Sequence, residues 1–101
     1  MAKRSLVWTK QSQLQLQEIL EYFRSRNKSS YYSKKLYSKF KAELLTAAQE
    51  PGIGVKTEIN EIRGLITGNY ILFYKIQVYE IVVLEVWDSR QNPEKLPFQR
   101  S

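Results

Sequence analysis

Residues 69–87 read NYILFYKIQVYEIVVLEVW. Two segments of it, 69–76 and 80–87, are dense in β-branched and aromatic residues, and a short step near Gln77-Val78 separates them. This is the signature of two adjacent strands joined tightly. Their apolar runs are almost continuous, so they are expected at the centre of a sheet covered by helices on at least one face. Lys75, Gln77, Glu80 and Glu85 interrupt the run, which excludes a membrane span.

Upstream, two helices are expected. Thr9 is placed to cap the first, at about residues 10–26, where Leu16, Ile19, Leu20 and Phe23 recur at helical spacing. A turn at Asn27-Lys28-Ser29-Ser30 follows, with Ser29 or Ser30 able to cap the next helix. In the second helix Tyr32, Leu36, Phe40, Leu44 and Ala47/Ala48 form one stripe, and Pro51-Gly52 ends it. So short a turn makes the pair an antiparallel hairpin. Residues 4–8 (RSLVW) read as a leading strand and residues 57–62 (TEINEI) as another, with Gly64 and Gly68 flanking a turn. Pro93 and Pro97 mark an irregular tail. The expected fold class is therefore α+β: an N-terminal strand, an antiparallel two-helix hairpin, then a three-stranded, largely antiparallel sheet, all in a single domain spanning residues 1–101.

Composition narrows the chemistry. The 101 residues contain no cysteine and no histidine, which removes disulfides, the commonest metal ligands and the usual general base. No metal and no cofactor is expected, and any catalysis falls to Lys, Arg, Tyr, Asp or Glu. The net charge of +6 is unevenly spread. Residues 1–41 hold ten Lys/Arg against Glu18 and Glu21, whereas residues 42–101 hold six bases and eight acids. A basic half suits a polyanion or an acidic protein partner; the competing reading is a solvated helix surface. The opening MAKRSLVW has too short an apolar run for a secretory signal, so a cytoplasmic location is expected, with no membrane partner.

Three segments carry a family resemblance. LVWTKQSQLQLQEILEYF (6–23) resembles the first strand and leucine-rich helix of the RelE/ParE toxin superfamily. IRGLITGNYILFYKI (62–76) is similar to its Arg, glycine-bearing turn and aromatic strand, and VLEVWDSRQNPEKL (83–96) to its last strand running into a charged stretch. The resemblance implies the toxin of a type II toxin–antitoxin system, neutralised by a cognate antitoxin, with the concave sheet face and the loops at one end as the active surface. Its branches imply different targets. RelE-like members cleave mRNA on the ribosome and so block translation; ParE-like members inhibit DNA gyrase and are not nucleases. An mRNA endonuclease is the first reading, a gyrase inhibitor the alternative, and a non-toxic basic RNA- or protein-binding domain the second alternative.

Metal-free RNA cleavage needs a proton acceptor, charge stabilisation on the phosphorane and a proton donor. Arg90, just beyond the last strand where the resemblance implies a functional Arg, is the first candidate, since a guanidinium can hold two phosphate oxygens at once. Its competing role is a salt bridge to Asp88 or Glu94. Arg63 could grip a phosphate, or could support the fold by an ion pair with Glu61 or a bond to loop carbonyls. Lys56 and Glu58 would share one face of a regular strand and are candidate bases. For substrate binding, Tyr70 and Tyr74 alternate onto one face and could stack bases, or could be sheet-core residues. Trp87, Asp88 and Gln91 cluster at the end of the last strand. Lys34 and Lys35, with Lys39 and Lys41, could ride on RNA or meet an acidic antitoxin. Against cleavage stand Ile71, where RNA-cleaving relatives often have Arg after the leading Tyr, and Phe98, where others have a C-terminal His or Tyr.

Overall fold

The computed structural model describes residues 4–100. Strand β1 (Ser5–Trp8) leads into helix α1 (Lys10–Asn27) and helix α2 (Tyr31–Gln49). Strands β2 (Val55–Lys56), β3 (Ile62–Thr67), β4 (Tyr70–Ile76) and β5 (Glu80–Asp88) follow, with short 3₁₀ turns at Pro51–Ile53 and Pro93–Lys95. The strands form one sheet in the order β1-β5-β4-β3-β2, antiparallel except where β1 lies parallel to β5. The α+β class and helix hairpin are as expected, and the sheet has five strands because β1 joins it and β2 is separate. As the apolar runs imply, β4 is central and β5 is its neighbour.

The local chemistry explains the elements. Thr9 caps α1, its hydroxyl accepting from the Ser12 N–H at 3.1 Å. Lys28 closes α1 in the left-handed conformation (φ 52°), donating its N–H to the Arg24 carbonyl. The Ser29 hydroxyl accepts the Tyr31 N–H at 3.2 Å as α2 begins. The α2 stripe differs at its start. Tyr32 is 42% exposed, and Ser33 takes the buried position, donating to the Leu20 carbonyl at 2.7 Å to tie the two helices together.

Leu36, Phe40, Leu44, Ala47 and Ala48 of α2 and Leu16 of α1 pack on Leu65, Tyr70, Leu72, Tyr74, Ile81, Val83 and Val86 of the sheet. Each large apolar side chain so buried contributes about 1.5–3 kcal/mol, which is what lays the hairpin on the sheet. β1 covers only the first half of β5, through Val83. Beyond it α1 protects the edge: Ser12 donates its hydroxyl to the Val83 carbonyl at 2.8 Å, and Gln15 accepts the Val86 N–H at 2.8 Å. The opposite sheet face carries Phe73, on which Phe98 of the tail packs with ring centroids 5.1 Å apart.

The segment 57–62 is not a strand. The Thr57 hydroxyl donates toward the carbonyls of Ile59 and Ile62 and accepts the Ile59 N–H, and Ile62 N–H closes a turn on the Ile59 carbonyl. These bonds fold the chain on itself, so the strand begins only at Ile62. Gly64 consequently lies within β3, not at a turn; a side chain there would meet Ile71 Cγ2 at 2.9 Å. Gly68 does sit in the β3–β4 turn, with φ +59°.

Candidate functional site

The expected site residues separate into two groups at opposite ends of β4. Arg63 faces Tyr74 across the β3–β4 ladder, and Tyr70 faces Asp88 across β4–β5. Those rungs are four residue steps apart along β4, about 13 Å at roughly 3.3 Å per step.

The first group is a knot. Arg63 Nη1 donates to the carbonyls of Gly52 (3.0 Å) and Gly54 (2.8 Å). The fully buried Tyr74 donates its hydroxyl to the Pro51 carbonyl at 2.5 Å and accepts the Gly54 N–H at 3.1 Å. Burial pushes the Tyr74 phenol above its ordinary pKa, against the Gly54 N–H and the nearby Arg63 charge. Gly54 must lack a side chain, because a Cβ would stand 2.6 Å from the Tyr74 hydroxyl oxygen. Both side chains thus brace the loop after α2. Tyr74 offers no ring face for a base.

Lys56 pairs with Arg63 across β2–β3 and is exposed. Glu58 lies beyond the end of β2, in the bend, so the two do not share a strand face as expected. Its backbone N–H donates to the Gln99 carbonyl at 2.8 Å and its carboxylate accepts the Gln99 N–H at 3.0 Å. Glu58 therefore fastens the C-terminal tail, while Thr57 bridges to Arg100.

The second group forms a site. An open cleft of about 520 Å³ runs between α1 and the end of β5, lined by Gln15, Glu18, Ile19 and Tyr22 on one wall and Tyr70, Trp87, Asp88, Arg90 and Gln91 on the other. Asp88 grips Arg90 at three points: its Oδ1 accepts the Arg90 backbone N–H and Nε at 2.9 Å each, and its Oδ2 accepts Nη2 at 2.8 Å. Such a fork fixes the guanidinium plane. Hydrogen bonding from Arg90 holds the Asp88 carboxyl below the usual carboxylate range, overcoming its partial burial. The same pairing raises Arg90, which is charged at every accessible pH.

Tyr70 forms the floor, 4% exposed, its ring edge-on to Phe40 at 5.4 Å between centroids. Burial first, and the Asp88 charge second, push its phenol up, with Arg90 opposing. It is a core residue whose polar end borders the cleft, not a platform for stacking. Trp87 is half-buried and Gln91 exposed on the rim.

Lys34 and Lys35 lie exposed on α2 and line neither the Arg63 knot nor the Arg90 cleft. Lys35 lines a separate groove of about 210 Å³ with Tyr32, Leu36, Lys39 and the Thr67–Tyr70 turn.

Sequence reading missed the α1 wall. Gln11 and Gln15 both reach the Glu85 carboxylate, Gln15 at 2.6 Å. Their i, i+4 spacing places them on one helix face, but only the parallel β1–β5 pairing brings that face to β5. Among the described residues no cluster of acidic side chains suited to a metal is present, and no described helix is long and apolar enough to cross a membrane.

No curated protein matches the chain in sequence. A solved structure described as the chromosomal ParDE TA system from P. aeruginosa is similar to it with a TM-score of 0.70, covering 83% of this chain and 94% of that one at 18% identity, a likeness of fold. The family model for the ParE toxin of type II toxin–antitoxin systems, parDE, matches residues 6–93. That match takes in both helices, β2–β5 and the Asp88–Arg90 fork, and it establishes that the chain belongs to the ParE toxin family.

Proposed function

We propose that this toxin acts by binding a protein target, DNA gyrase, rather than by cleaving mRNA, and that a cognate antitoxin neutralises it. The observation that carries this reading is the engagement of both arginines. Arg63 is tied to the Gly52 and Gly54 carbonyls, and Arg90 is clasped by Asp88. Stabilising a phosphorane takes cationic donors aimed together at one point. Here the rung of Arg63 and the rung of Asp88, which leads into Arg90, stand about 13 Å apart along β4, and of the two candidate proton acceptors, Lys56 and Glu58, Glu58 holds the tail instead.

A binding surface needs only what the cleft has: an oriented guanidinium, an aromatic in Trp87 and an exposed amide in Gln91, on a rigid strand end. Membership of the ParE family and the fold shared with a ParDE system support the gyrase branch over the RNA-cleaving one.

The test pairs two assays on the purified full chain. In a supercoiling assay, gyrase is expected to be inhibited, and Arg90→Ala to relieve inhibition at least tenfold without lowering the melting temperature appreciably. In a translating extract, primer extension is expected to show intact message. Codon-phased cuts with unimpaired supercoiling would overturn the proposal and restore the endonuclease reading.

A further inference from the structure

We propose that the tip of the helix hairpin is a second binding surface, for single-stranded nucleic acid, separate from the cleft at Arg90. This goes beyond the gyrase reading and does not depend on it.

The first observation is a broken local rule. The first turn of a helix carries positive partial charge and favours acids. The first turn of α2 has no acid, and Lys34 and Lys35 follow it directly. The preceding helix ends with Arg24 and Arg26, and Lys28 occupies the turn. Among the described residues the one ion pair in this region joins Arg24 to Glu21, at 3.0 Å; Arg26, Lys28, Lys34, Lys35 and Lys39 pair with no carboxylate. Arg26 is held by the Tyr22 hydroxyl at 2.7 Å, but among the described residues the side chains of Lys28, Lys34, Lys35 and Lys39 make no hydrogen bond or ion pair; their mutual repulsion costs stability, which is the pattern of a surface kept for a polyanion.

The second observation is independent of charge. Tyr31 is 73% exposed, and Tyr32, 42% exposed, leans edge-on against Phe23. Exposed tyrosines set among lysines serve unpaired bases, which stack on the rings while phosphates meet the ammonium groups.

The third is a groove. Tyr32, Lys35 and Lys39 face Gly68 and Asn69 of the β3–β4 turn across about 210 Å³, and no carboxylate lines it. Lys35 and Lys39 are one helical turn apart, about 6 Å along the axis, the reach of neighbouring phosphates on a strand. The ligand class is therefore a single strand of DNA or RNA, with its backbone along Lys35–Lys39 and its bases toward Tyr31 and Tyr32.

The experiment is fluorescence anisotropy with the full chain and a labelled single-stranded oligonucleotide, in DNA and RNA forms, at rising salt. Binding is expected, with log affinity falling linearly in log salt. Lys35→Glu is expected to weaken binding at least tenfold, whereas Lys10→Glu, the same charge change at the far end of α1, is expected to weaken it less than threefold. Tyr31→Ala is expected to lower affinity for the single strand more than for the matching duplex. Equal losses from Lys35→Glu and Lys10→Glu, a duplex preferred over the single strand, or polyglutamate competing as well as the oligonucleotide itself would each overturn the assignment; the last would make the tip a docking surface for an acidic protein. Circular dichroism on each variant checks folding. Gyrase inhibition by the same variants is read separately, so failure here leaves the cleft at Arg90 untouched.

Discussion

Arg63 and Tyr74 sit directly opposite each other on β3 and β4, and both turn their polar ends onto the same four-residue loop, Pro51–Gly54. The loop after α2 is thereby fixed to the middle of the sheet by four hydrogen bonds from two side chains. These two residues, expected at a working surface, hold the fold together.

Removing the Tyr74 hydroxyl tests this directly. Tyr74→Phe leaves the Pro51 carbonyl and Gly54 N–H without their partner in a buried place, which costs about 1–3 kcal/mol. Chemical denaturation is expected to show a lowered midpoint with an unchanged slope. A variant as stable as the parent would mean that the loop is not held through this group.

Gly64 is the second structural prediction. A Cβ at this position stands 2.9 Å from Ile71 Cγ2 and 3.3 Å from Phe73 Cε1. Gly64→Ala is therefore expected to destabilise the sheet by about 1–3 kcal/mol through overpacking, seen as a lower melting temperature. Gly52→Ala, where nothing lies within 4 Å, is expected to be near neutral by the same measure.

Alkaline pH should loosen the fold. The phenols of Tyr70 and Tyr74 are both raised by burial. A group raised in the folded state contributes stability that is complete below its unfolded value, near 10, and is lost as pH rises through the folded value. Two of the seven tyrosines are thus expected to ionise late in a phenolate absorbance titration, together with loss of ellipticity. Tyr74→Phe should remove one of these late steps.

At the acid end the sign reverses. Asp88 is lowered by its bonds from Arg90. Its contribution is present above the unfolded carboxylate value, near 4, and is lost as pH falls through the lower folded value. Asp88→Asn is expected to flatten that limb of the stability profile and to release the Arg90 side chain, visible as loss of Nε–H protection from exchange in NMR spectra. Persistence of that protection in the variant would place the restraint elsewhere.

Much of the fold was legible from particular residues. Thr9, the leucines of α1 and the apolar runs at 69–76 and 80–87 reported short-range periodicity and capping, which act within a few residues and survive folding unchanged. The strand at 57–62 was misplaced because Thr57 bonds to Ile59 and Ile62, a local alternative that outcompetes a ladder and that alternation alone does not reveal. At the site, Asp88, Arg90, Gln91 and Trp87 were legible as a cluster because they are consecutive or nearly so. Arg63 and Arg90 were expected together on one rim of the sheet; instead the β3–β4–β5 register puts the Arg63 rung at Tyr74 and the Asp88 rung, which leads into Arg90, at Tyr70. The α1 wall with Gln15 and Tyr22 was invisible for the same reason: it depends on a pairing between residues more than seventy positions apart.

That pairing has a temporal consequence. β1 emerges first during synthesis yet hydrogen-bonds only to β5, which emerges nearly last. Helix α1 likewise finds its seat, through Ser12 and Gln15, on residues 83 and 86. A nascent chain stopped short of Val83 has neither an anchored first strand nor the far wall of the cleft, so no partial product of translation can carry the working surface. The surface is armed only once β5 has been made.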